Sequence, residues 1–329
     1  MITAFSCANG MAARHALTPG APLPPGTVWV DLAGCTSAEL AQFAQLTKTR
    51  IPTLREVRLL EQTHQQFVEK GTTYLTAPLI IGSQSDQPSR GSLMFILSPH
   101  LLLTIHDAES RAISQFGERA LKDPLLLQDS ESAFVGLLES LLHRLADLGE
   151  IAAHELEQVG HVVFAESLQR SKAPGRGKAD NWRKIMQGLG RTARLNHRLL
   201  GTLTGLDRLL AFVQSPAEPC VGEESYARLR AMQTDLLRLI EHTNAMINEA
   251  TFLLDAIVGA ISIEQNNVIK IFSMVAVVLM PPTMIASIYG MNFAHMPELA
   301  QPWGYPVALA AMLISAIVPW LWFKRSGWF

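Results

Sequence analysis

Four short runs dense in Val, Ile, Leu, Phe, Tyr and Thr occupy 27–32, 73–81, 92–98 and 101–106. Each is bounded by Gly, Pro, Ser or Asp, the pattern of a strand between turns. Helical spacing fills 37–46 and 53–70, with Ser37 as the predicted N-cap of the first and Glu39 two residues on. Residues 1–107 therefore read as an α+β layer. After Asp107 the strand signal stops. From 130 to about 171, Phe134, Leu137 or Leu138, Leu141, Leu145 and Leu148 recur at three- and four-residue steps, the mark of a long amphipathic helix. A second helix is predicted over 181–213. Pro174, Gly175 and Gly177 lie in the 172–180 linker, so the pair should fold back as an antiparallel hairpin. A break at 215–222, with Pro216 and Pro219, closes this helical part, 108–222.

From 224 to 289 no Pro precedes Pro281 and the only Gly is Gly259. Leu229, Met232, Leu236, Ile240, Thr243, Ile247, Ala250, Leu254, Ile257 and Ile261 keep three- and four-residue steps, a coiled-coil-like seam. One helix of this length is a rod of about 100 Å. The seam predicts packing against copies of itself on the axis of a symmetric oligomer.

Charge changes the picture at the C-terminus. The 329 residues include 27 Lys and Arg and 29 Asp and Glu, yet only Glu298, Lys324 and Arg325 follow Lys270. The runs 271–297 and 299–323 hold no Lys, Arg, Asp or Glu, and about 20 apolar residues cross a bilayer core. This predicts a stalk over 223–267, a first transmembrane helix over 268–289, a loop over 290–304, a second over 305–323 and a basic tail over 324–329. Lys270, Lys324 and Arg325 lie on one side of the two spans, which places both termini in the cytoplasm. Residues 1–25 agree, since Pro19, Pro22, Pro24 and Pro25 interrupt any signal-peptide core. Cys7, Cys35 and Cys220 lack metal-type spacing and read as reduced thiols.

Enzymatic and phosphate-binding signatures are missing. The stretch Gly175-Arg176-Gly177-Lys178 has Lys172 where a P-loop needs its upstream Gly and Ala179 where it needs Ser or Thr. His154, Glu155 and His161 do not make the HExxH spacing of a metalloprotease. The stretch 170–198 carries nine Lys or Arg against the single acid Asp180; it is either a solvated basic face or a contact for anionic lipid headgroups. Pro281 and Pro282 interrupt the first span, either as a packing kink or to turn freed carbonyls and Thr283 toward a water-filled pore.

The most specific string ends that span: Tyr289-Gly290-Met291-Asn292-Phe293, then Met296-Pro297-Glu298-Leu299 and Trp303-Gly304-Tyr305-Pro306. A GMN triplet with MPEL at this spacing, between two C-terminal spans and behind a long stalk, closely resembles the CorA family of divalent-cation channels. The resemblance is strongest over 264–329 and extends as layout over the whole chain. It implies a funnel-shaped homopentamer in the bacterial inner membrane, whose α+β cytoplasmic domains and helical stalk lead into the first of two transmembrane helices. It further implies Mg²⁺ influx, with Co²⁺ and Ni²⁺ as passengers, down the electrochemical gradient and gated by intracellular Mg²⁺. Its partners would be copies of itself and membrane lipids, with no cofactor, no nucleic acid and no enzymatic turnover.

By the same resemblance, Gly290, Met291 and Asn292 form the external mouth, with Asn292 in the selectivity ring. Mg²⁺ gives up its waters reluctantly, so a ring of Asn carbonyls suits a hydrated ion where carboxylates would hold it too long. Asn292 equally fits a helix C-cap, and Glu298 either concentrates cations or is an ordinary solvated acid. Along the helix, Asn266, Ile269, Phe272, Ser273, Met280, Thr283 and Ser287 are the pore-lining candidates, with Ile269, Phe272 and Met280 as gates. Asp235, Glu241, Glu249, Asp255 and Glu264 could take part in regulation, but no regulatory metal site is assigned. A zinc transporter of the related ZntB group is the alternative.

Overall fold

The computed structural model describes the chain apart from residues 1, 19, 64, 83–88, 109, 169–175, 216–220, 293–295, 298–300 and 328–329, and apart from the side chains of 166–168 and 176–180. The opening stretch contains two strands that the sequence pattern did not predict. β1 (Ile2–Ala8) and β2 (Met11–Leu17) form a hairpin closed by the pair Ala8↔Met11. The two linking residues, Asn9 and Gly10, stand at φ 53° and 74°, the left-handed pair that a type I′ turn demands.

β3 (Thr27–Ala33), β4 (Phe67–Glu69), β5 (Thr72–Ile81), β6 (Ser89–Leu97) and β7 (Leu102–His106) complete a seven-stranded sheet of order β2-β1-β3-β7-β6-β5-β4. Among the described residues, only β3 and β7 pair in parallel. The helix read over 53–70 is a shorter helix and a strand. α2 (Leu54–Gln62) stops early because Lys70 and Gly71, at φ 51° and 76°, close a second two-residue hairpin between β4 and β5. That hairpin stacks Phe67 on Tyr74 with ring centroids 4.6 Å apart. The N-cap of α1 (Ser37–Thr47) is Thr36 rather than Ser37, in a reciprocal capping box with Glu39. Thr53 and Glu56 repeat the device at α2, each box satisfying amides that a helix start leaves without partners.

Alternation along the strands divides the core. One sheet face carries Val30, Leu32, Met94, Ile96, Leu103 and Ile105 in a cluster with Leu40, Phe43 and Val57 from α1 and α2. On the other, Trp29 stacks on Phe5 at 4.2 Å and meets Phe116 of α3 (Arg111–Lys122) at 5.2 Å. Phe95 meets Phe134, near the start of α4 (Ser130–Leu168), edge-on. Covering both faces explains why β5 to β7 read as nearly continuous apolar runs.

α5 (Arg176–Val213) starts before the predicted position 181. α6 runs from Glu223 to Tyr289 without a break and α7 from Gly304 to Arg325. By internal packing the chain forms two units, Met1–Ala165 with Arg183–Leu254, and Glu166–Trp182 with Asp255–Phe329. In the first, Arg228 binds Glu139 at 2.8 Å and Phe252 lies 6.2 Å from Phe164, so α4 and α6 run parallel. Gln233 reaches Asp207 and Gln214 reaches the Leu229 carbonyl, which sets α5 antiparallel to α6. The seam expected to pack against copies of the chain is in part covered by the chain itself. Leu229, Met232, Leu236, Thr243 and Ala250 are already buried within one chain, since the apolar stripes of α4 and α5 need a third helix to cover them.

Candidate functional site

Among the described residues, two helical segments, within α6 and α7, are long and apolar enough to cross a membrane, and both lie in the second unit. Over 274–289, the α6 residues that the chain covers wholly or partly are Met274, Val278, Pro281, Pro282, Ile285 and Tyr289. At 3.6 residues per turn these fall on one strip about 100° wide. Asn266, Ile269, Ser273, Met280 and Ser287 share an arc of about 60° on the far, open side, and Ile269 and Met280 are 61% and 70% exposed. Phe272, 71% exposed, and Thr283 lie to one flank of this arc. Five of the seven candidates are thus brought onto one face and two are placed beside it.

Polar groups along this stretch of α6 have unequal freedom. The Thr283 hydroxyl donates to the Leu279 carbonyl at 2.7 Å, so its proton is spent on the helix and only its lone pairs are left to face water. Pro281 and Pro282 have no N–H, and the carbonyls of Val277 and Val278 lose their usual helical donors. Among the described residues, the hydroxyls of Ser273 and Ser287 have no hydrogen-bond partner.

The helix ends in a tightened turn. Gly290 N–H donates to the Ala286 carbonyl at 2.9 Å and Met291 N–H to that of Ile288 at 3.3 Å. A Cβ at Gly290 would lie 3.1 Å from the Ala286 oxygen, tighter than ordinary contact. Gly290, Met291 and Asn292 are not among the positive-φ residues, so the left-handed C-cap that Gly and Asn suggest is not made. Asn292 is exposed just beyond the last turn, and its amide has no partner among the described residues. Glu298 lies outside the described residues.

Of the stalk acids, Asp235 pairs with Arg238 at 3.4 Å on the helix surface. No group of three His, Cys, Asp or Glu fit to hold a metal occurs among the described residues. One polar cluster escaped the sequence reading. Asp31 on β3 accepts from the Thr104 hydroxyl at 2.6 Å and lies 2.9 Å from His106 Nε2, while Trp29 Nε1–H donates to Thr104 at 3.0 Å. His106 Nδ1 lies 2.6 Å from the Ala108 carbonyl. Burial pushes the His106 pKa down, but the hydrogen bond to Asp31, its charge and the Ala108 carbonyl outweigh this and hold it above the usual value. The only sequence signal was polar residues alternating through strands that are otherwise apolar.

Comparison with known proteins follows the same lines. The model of the family described as CorA-like Mg²⁺ transporter protein matches residues 25–325. The Magnesium transport protein CorA of Escherichia coli (strain K12) is 28% identical over 328 residues, spanning 100% of both chains. Among solved structures, the complete CorA magnesium transporter from Methanocaldococcus jannaschii superposes with a TM-score of 0.80 at 18% identity, covering 100% of this chain and 99% of its own. The ZntB cytoplasmic domain from Vibrio parahaemolyticus gives 0.55 at 13% identity over 78% of this chain and 95% of its own. At these identities the structural likenesses bear on fold alone.

Proposed function

The chain belongs to the CorA family, a family of transporters and not of enzymes, and on that premise we propose that it conducts Mg²⁺ across the bacterial inner membrane as a homopentameric channel. α6 lines the pore over 268–289, 305–323 of α7 face lipid, and the loop 290–304 lies outside. Both termini and the sheet-bearing part are cytoplasmic. Five copies of Asn292 ring the mouth beside Gly290 and Met291. Their amide oxygens accept hydrogen bonds from the ion's water shell without displacing it, a match to an ion that dehydrates reluctantly. Behind them, Ser287, Thr283 and Ser273 are polar rings and Met280, Phe272 and Ile269 apolar ones, which close by dewetting. Asn266 sits at the inner end, and Glu298 concentrates cations at the entrance. Co²⁺ and Ni²⁺ follow the same path, and intracellular Mg²⁺ closes it.

The observation that carries this reading is the open α6 face ending in an exposed, uncommitted Asn292 amide. With no ATP motif, the driving force is electrochemical: a divalent ion crossing about 100 mV gains about 4.6 kcal/mol. Reconstituted in liposomes, the protein should pass Mg²⁺ with no proton gradient, and cobalt(III) hexaammine, whose ligands do not exchange, should block it from outside. Zn²⁺ flux that requires a proton gradient would favour the ZntB-like zinc transporter instead.

A further inference from the structure

On α7 the residues the chain covers include Ala308, Ala311, Ser315, Pro319 and Phe323, a strip of mostly small side chains, which suits close helix packing. The opposite side is different. Leu313, Ile317, Trp320 and Leu321 are 63%, 42%, 42% and 52% exposed, and at 3.6 residues per turn they form a single apolar stripe along the helix. That stripe ends in a cation. Lys324 lies on the same side, with its Nζ 5.2 Å from the centre of the Trp320 ring, and exposed Arg325 follows. No acid occurs in α7, and neither cation has an acidic partner among the described residues.

From this stripe and its cationic end we infer that α7 carries a docking site for an anionic phospholipid. The acyl chain lies along Leu313, Ile317 and Leu321, and the headgroup phosphate sits on Lys324 and Arg325. The dimensions agree. The 22 residues of α7 span about 33 Å against a hydrocarbon core of about 30 Å, so Lys324 reaches phosphate depth while Trp320 lies at the interface below it. An ammonium held over an indole is shielded on one side, and its remaining donors point to the headgroups. Arg325 offers the fork that binds phosphate through two parallel hydrogen bonds. The stripe selects an acyl chain as well as a phosphate, which a free anion lacks.

The inference rests on α7 crossing a bilayer. The test is native mass spectrometry of the full-length protein released from nanodiscs of equal phosphatidylglycerol and phosphatidylcholine, after wild-type protein has been shown to float with vesicles. Failure to float would defeat the membrane reading itself. If it floats, the protein should retain phosphatidylglycerol in preference to phosphatidylcholine. K324Q and R325Q should each lower that retention by about fivefold, and K324R should preserve it. Inorganic phosphate at millimolar concentration should not displace the lipid. Equal retention of both lipids by wild type, unchanged preference in K324Q, or displacement by phosphate would each overturn the site.

Discussion

His106 has an acceptor against each ring nitrogen, the Asp31 carboxylate at 2.9 Å and the Ala108 carbonyl at 2.6 Å. Only the doubly protonated ring donates to both, and the side chain is 2% exposed. A histidine whose folded pKa is raised adds stability that is complete below its unfolded value of about 6.5 and is lost as pH rises through the folded value. The thermal unfolding temperature of the protein, followed by circular dichroism, should therefore fall as pH rises from neutral toward alkaline. His106→Gln should cost on the order of 3 kcal/mol and flatten that pH dependence; an unchanged profile in the variant would refute the assignment. This pair was invisible in the sequence because its members come from strands 75 positions apart that meet only through the parallel β3–β7 pairing. The GMN string was legible for the opposite reason: its residues are consecutive, so no tertiary pairing had to be known.

Elements were legible in proportion to their length and period. α4 and the stalk part of α6 follow from apolar spacing over many turns and the membrane-length helices from their uncharged runs, whereas β1 and β2 were hidden because they are short and carry few β-branched residues, as in MAARHAL. Asn9-Gly10 was the available signal. Gly10→Val would force a β-branched residue to φ 74° and should cost at least about 1–2 kcal/mol, read as a shift in denaturant midpoint; an unaltered midpoint would mean the turn relaxes freely. Helix 53–70 was overread because Phe67 and Val68 suit either period until the Lys70-Gly71 turn decides it. In α6 the sequence announced a kink or freed carbonyls at Pro281 and Pro282, and the helix runs through both. The freed Val277 and Val278 carbonyls lie beside prolines of the covered strip, away from the open face, so Pro281→Ala with Pro282→Ala should leave Mg²⁺ flux and assembly intact, and a several-fold loss of flux would contradict this. Unchanged flux would assign the prolines to packing alone.

At the scale of the whole molecule, the single chain leaves long apolar surfaces open on both α6 and α7, with Phe272, Met280, Met284 and Leu313 each more than 60% exposed. Patches of this extent call for lipid or further copies, and the proposed pentamer uses both. The sequence reading that the stalk seam lies between copies was too simple, because Leu229 and Leu236 are already buried by their own chain. Periodicity shows that a face needs a partner but not which partner. The transport proposal turns on hydrated Mg²⁺ passing a ring of Asn292 amides, and Mg²⁺ uptake into proteoliposomes carrying Asn292→Ala probes that step. The substitution removes the acceptors and little volume, so native mass measurement should still give the wild-type oligomer while flux is nearly abolished. Asn292→Asp should instead bind divalent ions more tightly and pass them more slowly. Undiminished Mg²⁺ flux through a correctly assembled Asn292→Ala protein would contradict the account.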